Sequence, residues 1–93
     1  MIKTFACKET EDLWLGNEVT HIAPEIQERS LKKLRLLDAA IHLDDLSAIP
    51  GNHFEHLHGD RLGQMSIRVN ERWRICFTWD HGDVYDVEIV DYH

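Results

Sequence analysis

The chain reads as an α+β domain, with an N-terminal strand and two helices packed on one face of a small antiparallel sheet. Apolar residues recur at helical spacing through the first half of the sequence. After residue 64 the period drops to two, the signature of strands with one buried face. Short turns join the alternating runs, which suits antiparallel hairpins rather than parallel crossovers. The 93 residues form one domain, 1–93. A chain of this size buries roughly 60–65% of its unfolded surface, enough for one core without staples.

Ile2 to Ala6 is short and apolar at alternate positions, and predicts the first strand. Lys8 to Leu15 predicts a brief helix, stopped at Gly16-Asn17 by a C-capping signal. Pro24 opens the second helix with Glu25 in its first turn, where an acid suits the helix dipole. This helix is expected to run to about Ile41. Ile26, Ser30, Leu34, Leu37 and Ile41 fall within an arc of ~80° and form its core-facing stripe. Arg29, Lys32 and Lys33 lie on another face. "LDDLSAIPGN" predicts a loop with one helical turn, ended by Pro50-Gly51.

Three strands follow. Met65, Ile67 and Val69 alternate with polar residues; so do Trp73, Ile75, Phe77 and Trp79, and then Tyr85, Val87 and Ile89. If all these apolar residues share a face, Val69 opposes Trp73 and Trp79 opposes Tyr85. Both turns then hold an odd number of residues, most simply Asn70-Glu71-Arg72 and His81-Gly82-Asp83. The same ladder pairs Arg68 with Arg74, Arg74 with Val90, and Arg72 with Tyr92. Arg68, Arg74 and Tyr92 therefore belong to the open face, the one the helices leave uncovered.

Composition bounds the function. The apolar fraction is 43% and the charged fraction 29%, ordinary for a globular domain. No apolar run approaches the ~18 residues of a membrane span, and the opening residues lack a secretory pattern. Cys7 and Cys76 are far apart and suggest a reducing, cytoplasmic setting. Ten basic residues against seventeen acidic ones give a net charge of −7. Nucleic-acid binders are more often basic overall, although screening beyond ~8 Å permits a local basic patch.

Six separate blocks, in order and at consistent spacing, now bear on family: "MIKTF", "LDAA", "PGN", "GDR", "WRICF" and "DVEIVDYH". With them the chain resembles, over nearly its whole length, the HigB branch of the RelE-like toxins. The resemblance implies a RelE-like fold and a toxin of a bacterial type II toxin–antitoxin pair. It implies neutralisation by a HigA-like helix-turn-helix antitoxin. It also implies ribosome-dependent cleavage of mRNA in the decoding site, with no cofactor or metal and no membrane partner.

In that chemistry the ribose 2′-OH attacks the adjacent phosphate and leaves a 2′,3′-cyclic phosphate and a free 5′-OH. The step calls for a base, an acid and cations against the developing charge. Asp91, Tyr92 and His93 are the catalytic residues the resemblance implies, with Arg68 and Arg74 suited to bidentate phosphate contact. The sequence departs from the family at two places. Some members carry a functional histidine where this chain has Glu55, which becomes a further catalytic candidate with His56 beside it on the opposite strand face. Members often carry lysine where this chain has His58.

The remaining features have competing readings. His53, His56 and His58 suggest a metal, but a zinc site needs three or four convergent ligands and none is evident to complete it. Arg29, Lys32 and Lys33 form either a solvated helix face or a contact with ribosomal RNA. "GDR" reads as a turn, with Arg61 available to phosphate. Trp14, Trp73 and Trp79 read as core aromatics. Two functions follow: the mRNA-cleaving toxin, and a catalytically weak or inactive toxin-fold module that binds its antitoxin and joins it in promoter autoregulation.

Overall fold

The computed structural model describes residues 1–91. Tyr92 and His93 lie outside the described residues, and with them the predicted pairing of Arg72 with Tyr92. Helices α1 (Lys8–Leu15), α2 (Pro24–Ala39) and α3 (Asp44–Ser47) precede four strands, β1 (Glu55–His56), β2 (Met65–Arg68), β3 (Trp73–Asp80) and β4 (Asp83–Asp91). The strands form one antiparallel sheet in the order β1-β2-β3-β4. Single 3-10 turns span Pro50–Asn52 and Gly59–Arg61.

Helix α1 has the bounds its sequence predicts. Gly16 takes φ 84, and the N–H of Asn17 reaches back to the Asp12 carbonyl at 2.8 Å, a left-handed cap that a β carbon would strain. Thr10 ties this helix to the sheet, its Oγ1 accepting the Ile89 N–H at 3.0 Å. Helix α2 buries Ile26, Ser30, Leu34 and Leu37 as the stripe requires. It ends two residues early, however, and Ile41 is 71% exposed instead of joining the stripe. Ala40 leaves the helix at ψ 134, and the N–H groups of Ile41 and His42 both donate to the Asp45 carboxylate. A local side-chain acceptor there competes successfully with another helical turn.

The core lies between α1, α2 and the sheet and is built from Leu34, Leu37, Ile67, Ile75, Phe77 and Val87, each essentially inaccessible. Trp73 and Trp79 are half-buried and pack at its border. The first hairpin has the expected register: Arg68 pairs with Arg74, and the Val69 N–H donates to the Trp73 carbonyl. Asn70 shapes this three-residue turn by accepting the N–H groups of Arg72 and Trp73 on its side-chain oxygen.

The second hairpin differs. Asp80 pairs with Asp83, so the turn is the two residues His81-Gly82, at φ 50 and 87. Two successive positive φ values are what a tight primed turn requires, and its twist matches that of the strands. The odd residue appears further along instead, as a bulge: Phe77 stands against both Asp86 and Val87, between the pairs Cys76–Glu88 and Thr78–Tyr85. Asp86 takes φ 53 there. Beyond the bulge Arg74 faces Val90 as predicted. Before it the parity is reversed, so Val84 is buried where Tyr85 was expected, and Tyr85 is only half-buried.

The bulge also explains why residues 2–6 do not form a regular strand. They run parallel to β4 through two isolated bridges, Ile2 to Val84 and Phe5 to Val87. Between the bridges the Asp86 N–H donates to Thr4 Oγ1, where an uninterrupted ladder would use a backbone carbonyl. Asp38 of α2 holds the start of the segment by accepting the Ile2 N–H at 2.9 Å.

Candidate active site

Arg68 and Arg74 face each other across the β2–β3 ladder. Two grooves meet at this point. The larger, of about 660 Å³, is lined by Arg29, Arg68, Arg72 and Glu71 together with His53, Gly51, Val69 and Asn70. The smaller, of about 350 Å³, extends past Arg68 to Glu55 and Arg74. Four arginines against two glutamates make this region cationic on a protein of net charge −7. Local charge of this kind focuses a phosphate irrespective of the global sign.

The face opposite the helices is not open at Arg74, which is only 8% exposed. Its Nε donates to Ser66 Oγ at 2.8 Å and its Nη2 to the His53 carbonyl. Glu55 Oε1 stands 3.6 Å from Nη1 and is itself half-exposed. The short pairing of β1 with β2, Glu55 against Ser66, brings that carboxylate and the preceding loop over the arginine. A surface arginine samples many rotamers, whereas this fork is held by its partners, and Arg74 lines the smaller groove.

The other predicted residues divide. Arg29 of α2 lines the larger groove. Lys33, one turn on, points inward to the side-chain oxygen of buried Asn52, and burial, then the Arg29 charge, lowers its pKa. Lys32 is exposed and lines neither groove. Arg61 is likewise outside both, donating to Gln64 and Glu88. Asp91 lines neither groove but is held by Arg72, which lines the larger one. Cys76, beside these ion pairs, is fully buried, and burial pushes its thiol pKa up. Among the described residues no three His, Cys, Asp or Glu side chains converge as a metal would need.

Two residues that line these grooves were not read from the sequence as part of this site. Arg72 was read as a turn residue, and His53 was weighed with His56 and His58 as a metal ligand. His53 lines both grooves and adopts φ 41, a left-handed conformation uncommon outside glycine. The segment "PGN" directly before it forms the 3-10 turn Pro50–Asn52, which His53 caps.

Comparison with known proteins places this geometry in context. Residues 3–93 match the family model described as the RelE-like toxin of type II toxin–antitoxin system HigB. Toxin HigB-1 of Vibrio cholerae serotype O1 is 41% identical over 80 residues, covering 80% of this chain and 84% of that protein. Endoribonuclease HigB of Proteus vulgaris is 31% identical over the full length of both. Among solved structures, the heterotetrameric YoeB–YefM toxin–antitoxin complex from Staphylococcus aureus superposes with TM-score 0.62 at 19% identity, covering 100% of this chain and 95% of that one. The Staphylococcus aureus YoeB dimer gives 0.59 at 20% identity, covering 99% and 94%. No helix of the described residues is long and apolar enough to cross a membrane.

Proposed function

The chain belongs to the HigB family of RelE-like toxins of type II toxin–antitoxin systems, and on that premise we propose that its arginine-lined groove cleaves mRNA on the translating ribosome. The observation that carries this reading is the Arg68–Arg74 pair, cross-strand neighbours with Arg74 fixed by Ser66 and the His53 carbonyl. Two like charges side by side repel one another, and a bound phosphate relieves that repulsion. The ribose 2′-OH adjacent to the held phosphate attacks it, and the 5′-oxygen leaves. The arginines stabilise the charge on the phosphate oxygens as it grows. Asp91, Tyr92 and His93 complete the site in this proposal, and no metal is required.

Arg29 and Lys32 contact RNA beyond the scissile phosphate, Arg29 through the larger groove. Lys33 and Arg61 contribute less, because Asn52 and Glu88 already engage them. The proposed partner is a HigA-like helix-turn-helix antitoxin, and the cytoplasm is the compartment that holds the ribosomes.

Glu55 favours one second reading. Its carboxylate stands beside Arg74, where a phosphate would bind, and a toxin-fold module of weak activity would present such an occupied arginine. The test is incubation with translating ribosomes in the presence of EDTA, followed by mapping of the cleaved ends. A 2′,3′-cyclic phosphate and a 5′-OH are expected. Absence of cleavage by the wild-type protein would make the binding module the better account. Glu55→Gln is expected to hold or raise the cleavage rate, since it frees Arg74; a hundredfold fall would instead make Glu55 the base.

A further inference from the structure

His53 has a side chain with no role so far and a backbone that the fold works to hold. It closes the 3-10 turn Pro50–Asn52 at φ 41, ψ 53, sparsely populated for any residue with a β carbon. Its N–H donates to the Pro50 carbonyl at 3.2 Å and its carbonyl accepts from Arg74. The imidazole is exposed at the junction of the two grooves. Its Nε2 lies 3.3 Å from Arg68 Nη1.

A guanidinium carries only donors and stays protonated, so a hydrogen bond in this contact has Nε2 as its acceptor. The charged groups facing it are Glu55 on its own segment, Arg68 from β2, Arg74 from β3, Glu71 and Arg72 from the turn, and Arg29 from α2. Cations outnumber anions around the ring. Glu55, a carboxylate lining the smaller groove, is engaged with Arg74.

We propose that His53 Nε2 is the general base of the cleavage, an inference that rests on the reading of this groove as the RNA site. On arrival of the phosphate, Arg68 passes from Nε2 to a phosphate oxygen and uncovers the lone pair. The ribose 2′-OH gives its proton to Nε2 and its oxygen forms a bond to phosphorus. The bond from phosphorus to the 5′-oxygen breaks, and that oxygen leaves with the electron pair and takes a proton from the C-terminal residues or from water. The His53 imidazolium then returns its proton to solvent.

The experiment is the rate of mRNA cleavage on translating ribosomes between pH 5 and 9. The wild-type rate should rise along an acidic limb as an imidazole deprotonates. His53→Gly suits the left-handed backbone, so it should keep the wild-type melting temperature while losing ~10²–10³ in rate, together with that limb. Added free imidazole should restore part of the rate. His53→Arg should not, because it supplies a cation and no lone pair. Wild-type activity with the limb intact in His53→Gly, or recovery in His53→Arg, overturns the base. If Arg74→Lys falls while His53→Gly does not, only the base is wrong. If neither variant changes the rate, or the wild type cleaves nothing, the groove reading fails with it.

Discussion

Arg72 and Asp91 form a two-pronged ion pair that closes the end of β4 onto the β2–β3 turn. Nη2 stands 2.7 Å from Oδ2, and Nε lies 2.9 Å from both carboxylate oxygens. The Asp91 hydrogen bonds, then its charge, raise the Arg72 pKa, so the pair does not open by loss of the arginine proton at any ordinary pH. Both side chains are substantially exposed, and exposed pairs contribute little to global stability. Asp91 directly precedes Tyr92 and His93 in the sequence, and its partner Arg72 also lines the groove.

Arg72→Ala is therefore expected to leave the urea midpoint almost unchanged while lowering mRNA cleavage roughly ten- to a hundredfold, the scale of a misplaced reacting group. Raising the salt concentration should narrow the gap between wild type and variant in part, since exposed pairs are screened. A variant that retains full activity would show that the terminus needs no such anchor.

Arg74 behaves differently because it is buried. Arg74→Ala leaves Ser66 Oγ and the His53 carbonyl without their donor, and should cost about 1–3 kcal/mol of stability as well as activity. Arg74→Lys keeps the charge without the fork, and should lose cleavage with a smaller loss of stability. Urea denaturation and cleavage rates on the same preparations separate the two effects. Equal stability of Arg74→Ala and wild type would contradict the burial described here.

Ser30 sits in the apolar stripe of α2 with an inaccessible Oγ and no hydrogen-bond partner among the described residues. Ser30→Ala removes a buried polar atom without a partner and improves helix propensity. An increase in stability of about 0.5–2 kcal/mol is expected by chemical denaturation. A decrease would mean that the hydroxyl supports the helix after all.

Asp45 should govern part of the acid sensitivity. The His42 and then the Ile41 N–H donate to its carboxylate and hold its pKa below the ordinary 3.8. A depressed folded-state pKa stabilises the fold above pH 3.8 and loses that contribution as pH falls through the folded value. The stability advantage of wild type over Asp45→Asn should thus shrink steadily from pH 5 to pH 2. A gap that stays constant over that range would remove Asp45 from the acid response.

The sequence by itself determined the class of the fold, the bounds of α1, the buried stripe of α2 from Ile26 to Leu37, and the Arg68–Arg74 juxtaposition. These depend on period and parity, which are local properties of the chain, and the three-residue turn carries its own instruction in Asn70. Only the tertiary structure decided the rest. Strand alternation cannot tell a three-residue turn from a two-residue turn followed by a bulge, because both restore the same parity beyond Asp86. The exposure of Arg74 likewise escaped pattern reasoning, since the strand that covers it is only Glu55–His56 and too short to have a period. His53 was illegible as a site residue for a related reason. Its importance lies in a left-handed backbone and in contacts with Arg68 and Arg74, 15 and 21 residues away, and long-range contacts form only when the sheet does.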